Sequence, residues 1–230
     1  TNKEKPSFFT IIPTTACNAK CFYCYEEGYC KQTMSAKTIS DVTHYLITNI
    51  KDTDKFVLDW YGGEPLLCVS AIDSIIQTIK AKVNLQDKHW ESSITTNATL
   101  FNPDLINKAV LEWQLKSAHI TIDGIEDDHN KRKNISLNGK SAFQSTINNI
   151  YLLLQKNVNI NLRIHLDNNN KDDFSAIIKS IDNVLKMCGY IVIFSCICSM
   201  IDVLFGRFNY INMIICSLLE ITNGIYLIAS

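Results

Sequence analysis

The sequence lacks an excess of charge of either sign, and it lacks a long hydrophobic run. Its 22 Lys and Arg residues balance 23 Asp and Glu residues, for a net charge of -1. A nucleic-acid binder needs a strong basic field to hold a phosphate backbone, so this balance argues against that class. A membrane span needs about 18 uninterrupted apolar residues. The nearest candidate, 190–205, is interrupted by Ser195, Ser199 and Asp202, so we expect no span.

An apolar signal segment is also missing, since residues 1–10 read TNKEKPSFFT. A secreted disulfide scaffold would be shorter than 230 residues and richer in glycine than this chain, which has eight. The nine cysteines therefore indicate a reducing, cytoplasmic compartment rather than a disulfide framework. Because the first residue is Thr and not Met, we expect the natural start to lie upstream.

What the sequence does contain is a regular alternation of strand-like and helix-like segments. Its composition, 47% hydrophobic and 20% charged, is that of a folded protein. Strand-like runs at 8–12, 56–61, 93–96, 119–123 and 160–166 alternate with helical apolar spacing at 39–50, 72–83, 105–113, 143–154 and 174–185. Asn102 and Pro103 mark one helix start, and Ser141 precedes the next helix. Five β/α units predict an α/β fold with a parallel sheet, open or curled into a barrel, and chemistry at the carboxyl ends of its strands.

The last 44 positions differ in composition from the rest of the chain. Their only charged residues are Asp202, Arg207 and Glu220. A strand at 190–197 and helical spacing at 211–219 would make this tail a divergent sixth β/α unit, whereas the abrupt loss of charge favours an aberrant end to a longer gene. We favour the aberrant end, and we divide the chain into a core domain at 1–186 and a tail at 187–230.

Three cysteines follow the first strand in a C-x3-C-x2-C loop: Cys17, Cys21 and Cys24. Thiolates so close in sequence can converge on one centre if the loop wraps around it. A four-iron cubane accepts one thiolate per iron, so three cysteines leave one iron open to a ligand. The alternative is a zinc site completed by Cys30, because four thiolates also satisfy tetrahedral zinc.

The cysteine loop resembles that of the radical S-adenosylmethionine (SAM) enzymes, in which C-x3-C-x-aromatic-C follows the first strand of a partial (β/α)6 barrel. Tyr23 stands at the aromatic position. The resemblance implies that the three cysteines hold a [4Fe-4S] cluster. It also implies that the amino and carboxylate groups of SAM bind the open iron, and that the backbone of Tyr23 lies near the adenine.

Two further motifs extend this resemblance. Gly62, Gly63 and Glu64 end the second strand, where two glycines allow close backbone approach to a ligand; alone they are a common turn, but they resemble the family's GGE motif, which binds the amino group of SAM. Asn97 follows the third strand and is either a turn or capping residue or a contact on the cofactor side. Ala98 departs from the Gly that the family often has next.

The end of the fourth strand resembles the S-x-D-G…H-D-x-x-R…G-x-x-S-F pattern of peptide- and protein-modifying members such as anaerobic sulfatase maturases. Thr121 keeps the hydroxyl that would face the ribose, and Asp123 matches the aspartate. The later positions fall on His129, Arg132, Gly139, Ser141 and Phe143, with Asn130 in place of Asp. We interpret His129 as a loop histidine that orders its neighbours by hydrogen bonding.

Arg163 lies on the polar face of the fifth strand, with Asn161 and His165. In a barrel interior such an arginine is buried and needs a carboxylate partner, which could be Glu64, an aspartate or the carboxylate of SAM. A structural ion pair and a cofactor contact are both open.

The resemblance implies an enzyme that reductively cleaves SAM at a [4Fe-4S] cluster and uses the resulting 5'-deoxyadenosyl radical to modify a peptide or protein. Its expected partners are that substrate and a low-potential electron donor of the flavodoxin or ferredoxin type. We assign no catalytic acid or base.

The chain stops before a SPASM domain, the cysteine-rich domain usual in that group, so we expect a C-terminally truncated member. The rivals are a zinc-stabilised binding module and a cluster-binding fragment without turnover. Cys30, Cys68, Cys188, Cys196, Cys198 and Cys216 have the character of ordinary core or unassigned cysteines.

Overall fold

A computed structural model describes residues 6–26, 28, 30–135, 141–165 and 167. These residues form a parallel sheet of five strands in the order β1-β2-β3-β4-β5. The strands are β1 (Phe8–Thr14), β2 (Lys55–Gly62), β3 (His89–Thr96), β4 (Leu115–Thr121) and β5 (Asn159–Arg163). Each strand pairs with the next along the chain, as β/α crossovers require. The α/β fold with a parallel sheet is thus confirmed, and the described sheet is open rather than closed.

Five α-helices connect the described strands or follow them: α1 (Ala36–Ile50), α2 (Val69–Lys82), α3 (Pro103–Leu111), α4 (Glu126–Lys133) and α5 (Ala142–Gln155). Side chains cap three of them, because Ser35, Asn102 and Ser141 each accept a hydrogen bond from a backbone N–H of the first turn. A short 3-10 helix, Pro65–Cys68, leads into α2. The predicted cap Asn102 is therefore confirmed, and Ser141 caps the helix that it was predicted to precede.

The two faces of the sheet have opposite character. One face carries the apolar residues Phe9, Leu58, Trp60, Ile94 and Ile120, which are buried in the main hydrophobic core with residues of the helices. The other face is polar and includes Asp59, Ser93, His119 and Arg163, which line a cavity of about 330 Å³. Strands that alternate in this way suit a curved sheet with a polar interior face better than a sheet covered by helices on both sides.

The structure corrects several predicted boundaries. β3 begins at His89, four residues before the predicted start, and β4 runs from Leu115 to Thr121 instead of 119–123, so Asp123 lies beyond its end. α3 ends at Leu111, before the predicted 113, and α4 was not predicted at all. The predicted helix at 174–185, the boundary at 186 and the tail at 187–230 lie outside the described residues. Among the described helices, none has the length and apolar character to cross a membrane.

Candidate functional site

The cysteine loop, residues 15–32, leaves the carboxyl end of β1 and returns beside it. The return is fixed by Thr15, whose N–H donates to the carbonyl of Gln32 at 2.8 Å, and by a bridge between Thr14 and Thr33. Three free, half-buried thiols lie in this loop, at Cys17, Cys21 and Cys24. Cys30, the fourth ligand of the zinc alternative, is exposed, and Cys68 is buried in the 3-10 helix. The predicted metal ligands therefore share one loop at the carboxyl edge of the sheet.

The surroundings of the thiols suit iron–sulfur ligands. Cys17 Sγ accepts a backbone N–H bond from Ala19 at 3.4 Å, and such donors tune the thiolates of clusters. Burial raises the pKa of the Cys17 and Cys21 thiols, so a bound metal would supply the driving force for their deprotonation. Within the described ranges no group of three His, Cys, Asp or Glu side chains is close enough to hold a single ion. A cubane differs in this respect, because each of its ligands binds a separate iron.

Gly62 and Gly63 pack directly against the backbone at the end of β1 and in the cysteine loop. An added Cβ at Gly63 would lie 2.4 Å from the carbonyl oxygen of Ala16, and one at Gly62 would lie 2.4 Å from that of Thr14. The N–H of Gly63 donates to Thr14 O at 3.1 Å. Gly62 therefore approaches the end of β1 and Gly63 approaches the cysteine loop, and the approach to a ligand predicted for both stays a prediction.

Glu64 is completely buried and faces inward. Its carboxylate accepts hydrogen bonds from the Thr96 hydroxyl at 2.7 Å, the Asn97 N–H at 2.8 Å and the Leu66 N–H at 3.1 Å. Burial raises the pKa of the Glu64 carboxyl, and these donors oppose the rise. The side chain ties the GGE motif to the end of β3, and the predicted contact of Glu64 with the SAM amino group stays a prediction.

Asn97 continues this connection to the cysteine loop. Its Nδ2 donates to Asn18 Oδ1 at 2.7 Å, and Asn18 Nδ2 donates to the Thr99 hydroxyl at 3.1 Å. Asn97 Oδ1 accepts from both the N–H and the hydroxyl of Thr99. We call Glu64, Asn97, Asn18 and Thr99 the amide side of the loop. Asn97 is nine per cent exposed, and its side chain bonds to Asn18 and Thr99.

The next residue, Ala98, has φ +62°, in the left-handed region that favours glycine. α5 holds this turn, because Asn149 Nδ2 donates to Ala98 O at 2.8 Å and the Thr146 hydroxyl donates to Asn97 O at 3.0 Å. The departure from the family's Gly thus keeps the conformation that a glycine would adopt.

On its other side the cysteine loop meets a buried ion pair. Lys133 Nζ lies 3.3 Å from Asp123 Oδ2 and donates to the Tyr23 hydroxyl at 3.1 Å, while that hydroxyl donates to Asp123. The ring of His165 stacks on Tyr23 with centroids 4.2 Å apart, and its Nδ1 lies 3.4 Å from Asp123 Oδ1. The N–H of Lys20 donates to Lys133 O at 2.9 Å. We call Tyr23, Asp123, Lys133 and His165 the charged side of the loop.

Tyr23 is therefore held by its side chain as well as by its place between two cysteines. Burial, with the hydrogen bond to Asp123, raises the pKa of Tyr23 well above its ordinary value, which keeps the phenol protonated and able to donate. Asp123, predicted as a cofactor contact, is fully buried. Its observed partners are residues of the cysteine loop and of the chain that follows.

α4 supplies the lysine of the charged side. His129 lies in this helix, not in the predicted loop, and its Nδ1 accepts the Asp123 N–H at 3.3 Å, in keeping with the ordering role predicted for it. Burial lowers the pKa of His129 to about 4, so the ring is neutral. Arg132 pairs with Asp167 at 2.7 Å. Asn130, at the position of the family's Asp, accepts the Phe143 N–H at 2.9 Å and so joins α4 to α5.

The last two predicted contacts lie on neighbouring strands. Thr121 ends β4, is half-buried, and is paired in register with Arg163 of β5. The side chain of Arg163 is exposed, so the prediction of a buried arginine that needs a carboxylate partner is wrong. β5 is the outer strand of the described sheet, which explains the exposure.

Residues that the sequence did not single out also contribute to the site. Asn18 and Lys133 contribute from positions far apart in the chain, and His165, noted above only for its place on the polar face of the fifth predicted strand, stacks on Tyr23. α4, with sequence EDDHNKRK, has no apolar residue, so hydrophobic periodicity could not reveal it. Its acidic first turn and basic last turn were the available signals of a helix.

A parallel β/α sheet that carries three free thiols in one loop at its carboxyl edge defines an iron–sulfur-binding α/β domain. The chain belongs to the 4Fe-4S single cluster domain family, whose model matches residues 9–146. The family assignment favours the cluster over the zinc alternative.

Similar proteins support the same class. The chain is 21% identical over 197 residues to Fe-coproporphyrin III synthase of Methanosarcina barkeri and 26% identical over 168 residues to an uncharacterized protein of Synechocystis. These alignments cover 84% and 68% of this chain but 46% and 40% of the relatives, so the chain spans less than half their length.

A solved structure of anSMEcpe with bound AdoMet and the Cp18Cys peptide matches with a TM-score of 0.56 and 20% identity. The match covers 68% of this chain and 42% of that one. It confirms the fold, a partial barrel of the radical SAM type.

Proposed function

We propose that Cys17, Cys21 and Cys24 hold a [4Fe-4S] cluster at which the protein reductively cleaves SAM in order to modify a peptide or protein. The observation that carries this proposal is the set of three free thiols in a loop fixed at the carboxyl edge of a parallel sheet. The family's 4Fe-4S character supports the cluster. The structural similarity to a protein with bound AdoMet supports SAM as the second cofactor.

When bound, the cluster supplies one electron to SAM. The protein's own residues bind and orient the cluster and SAM. The three thiolates leave one iron without a protein ligand, and that iron is where SAM would bind. The SAM amino group would bind at the GGE motif of Gly62, Gly63 and Glu64, where Thr96 and Asn97 hold the Glu64 carboxylate in place.

The remaining residues predicted to contact the cofactor have different roles in this proposal. Tyr23 would present its backbone to the adenine, since its hydroxyl is already held by Asp123. Thr121 keeps a half-buried hydroxyl for the ribose, and exposed Arg163 is free to meet an anionic group of SAM or substrate. Asn97 and Asp123 act indirectly, by holding the loop.

The substrate would approach across the polar face of the sheet. The cavity of about 330 Å³ on that face includes Asp59, Tyr61, Thr95, His119 and Arg163 in its lining. Acidic, basic and hydroxyl groups in one cavity suit a polar peptide segment. The peptide bound by anSMEcpe supports this substrate class. A low-potential donor of the flavodoxin or ferredoxin type in a reducing cytoplasm would supply the electron.

Anaerobic reconstitution with iron and sulfide tests the proposal. A brown protein whose visible absorption bleaches on reduction, and which forms 5'-deoxyadenosine from SAM with a strong reductant, is the expected result. Replacement of Cys17 by Ala should abolish both properties, whereas replacement of exposed Cys30 by Ala should leave both intact. A colourless protein with stoichiometric zinc would contradict the proposal, and an intact cluster without 5'-deoxyadenosine would leave only a cluster-binding fragment.

The peptide substrate is tested separately. Deuterium from a labelled peptide should appear in 5'-deoxyadenosine if the radical removes a hydrogen from that peptide. If no peptide accelerates SAM cleavage or transfers its deuterium, but a porphyrin does both, the substrate would instead resemble that of Fe-coproporphyrin III synthase.

A further inference from the structure

Lys133 is a buried lysine beside the cysteine loop. Only 4% of the residue is exposed. Because lysine is almost never buried without a partner, its contacts show what holds it there. Three contacts hold it: its carbonyl accepts the Lys20 N–H, and its ammonium meets the Tyr23 hydroxyl and Asp123. Lys20 and Tyr23 flank Cys21 on either side. The ammonium is therefore fixed against the centre of the loop.

Other charged groups also lie near the loop, among them the buried carboxylate of Glu64 and the guanidinium of Arg132, which lies 5.4 Å from the centre of the Phe22 ring. Arg132, the next cation on α4, is directed to Asp167. Lys131 is exposed on the same helix. His165 lies on Asp123 and is half-exposed. Asp123 and Lys133 both contact the hydroxyl of Tyr23, which lies two residues after Cys21 in the loop.

A cluster becomes more negative by one charge when it is reduced. A buried positive charge nearby stabilises the reduced form, and a buried negative charge destabilises it. Net charge, hydrogen bonds to sulfur and solvent exposure are the factors that set cluster potentials. Lys133 and Asp123 carry opposite charges at one place beside Cys21, so their effects on the potential have opposite signs.

We propose that Lys133 and Asp123 act in opposite directions on the reduction potential of the cluster, with Lys133 as the positioning residue that favours the reduced form and Asp123 opposing it. This inference rests on the proposed [4Fe-4S] cluster at the three cysteines. It adds to that function a named electrostatic control, for which α4 supplies the lysine.

Four proteins test the pair: wild type, Lys133→Met, Asp123→Asn and the double variant. The midpoint potential of each is measured by a redox titration monitored by electron paramagnetic resonance. We expect Lys133→Met to shift the potential downward and Asp123→Asn to shift it upward. The double variant should return close to wild type, because both charges are gone. The matched control Lys131→Met, at an exposed lysine of the same helix, should show no shift.

The order of the potentials decides the outcome. Shifts of the same sign in both single variants, or no shift in either, would overturn the inference and reduce the pair to a structural anchor. If Lys133→Met fails to fold, Asp123→Asn still tests the predicted upward shift, and Lys133→Arg should keep the wild-type potential because it keeps the charge. A wild-type protein that assembles no cluster refutes the proposed function itself. A wild-type cluster with the wrong order of potentials refutes only this inference.

Discussion

The two sides of the cysteine loop hold it by different chemistry. On the amide side, the buried carboxylate of Glu64 acts through the neutral groups of Asn97 and Asn18. On the charged side, Tyr23 meets the ion pair of Asp123 and Lys133 directly. Hydrogen bonds between neutral groups contribute about 0.5–1.5 kcal/mol each, whereas loss of one member of a buried ion pair costs about 3–5 kcal/mol. The position of the cysteine loop therefore depends more on the charged side than on the amide side.

The largest expected effect breaks the charged side. Asp123→Ala leaves the Lys133 ammonium buried without its carboxylate, so the free energy of unfolding should fall by about 3–5 kcal/mol. Urea denaturation of the cluster-free protein at pH 7 measures the loss. Asp127→Ala, at an exposed acid in the first turn of α4, is the control and should change stability by less than about 0.5 kcal/mol. Equal effects in the two variants would show that the buried pair is not a special support.

Lowering the pH should destabilise the folded state through His129, which contacts Asp123 of the charged side, and should stabilise it through Glu64 of the amide side. His129 has a pKa of about 4 when folded and about 6.5 when unfolded, so below pH 6.5 the unfolded state binds the proton more readily and stability falls. This term should amount to about 2 kcal/mol between pH 7 and pH 5. Glu64 has a raised folded pKa, so its contribution has the opposite sign: it is largest at low pH and is lost as the pH rises.

Urea unfolding of the cluster-free protein at pH 7 and pH 5 separates these two terms. His129→Gln should flatten the loss of stability on acidification, and Glu64→Gln should steepen it. Changes in the same direction in both variants would contradict the assignment of opposite signs to the two sides.

A smaller effect is expected where the amide side begins. In Gly63→Ala the new Cβ meets the carbonyl oxygens of Ala16 and Thr15, and backbone atoms cannot rotate away as a flexible side chain can. The free energy of unfolding should fall by about 1–3 kcal/mol, a typical cost of overpacking. The variant should also retain less iron after reconstitution and desalting, because the cysteine loop is displaced. An unchanged iron content would show that the loop tolerates movement here.

The smallest effect removes one contact of the amide side. Asn18→Ala deletes the hydrogen bonds that join the cysteine loop to Asn97 and Thr99, at a cost of about 1 kcal/mol. Thermal and urea unfolding measure it. Asn148→Ala, at an exposed asparagine of α5, is the matched control with an expected change below about 0.5 kcal/mol. A loss as large as that of Asp123→Ala would overturn the ranking of the two sides.

The sequence was sufficient for the order of strands and helices and for the three cysteines, because local periodicity and the C-x3-C-x2-C spacing carry that information. It was not sufficient for the partners of the motif residues. Glu64 and Asn97 are recognisable by type, yet their hydrogen bonds span 33 and 79 residues of chain. Spacing gives no indication that these side chains turn inward.

The charged side was harder to predict, since it depends on a helix without apolar residues and on a contact between residues 110 positions apart. Burial was also misjudged for Arg163. Alternation along a strand predicts which face a side chain occupies, but whether that face is covered depends on the neighbouring strand, and β5 lies at the outer edge of the described sheet.

The most direct measurement is the Mössbauer spectrum of the reconstituted protein with and without SAM. If three cysteines hold the cluster and one iron is open, three irons should keep their parameters while the fourth changes when SAM binds. Four irons that all remain unchanged on addition of SAM, or a protein that assembles no four-iron cluster, would contradict the claim that this loop builds a SAM-binding iron–sulfur site.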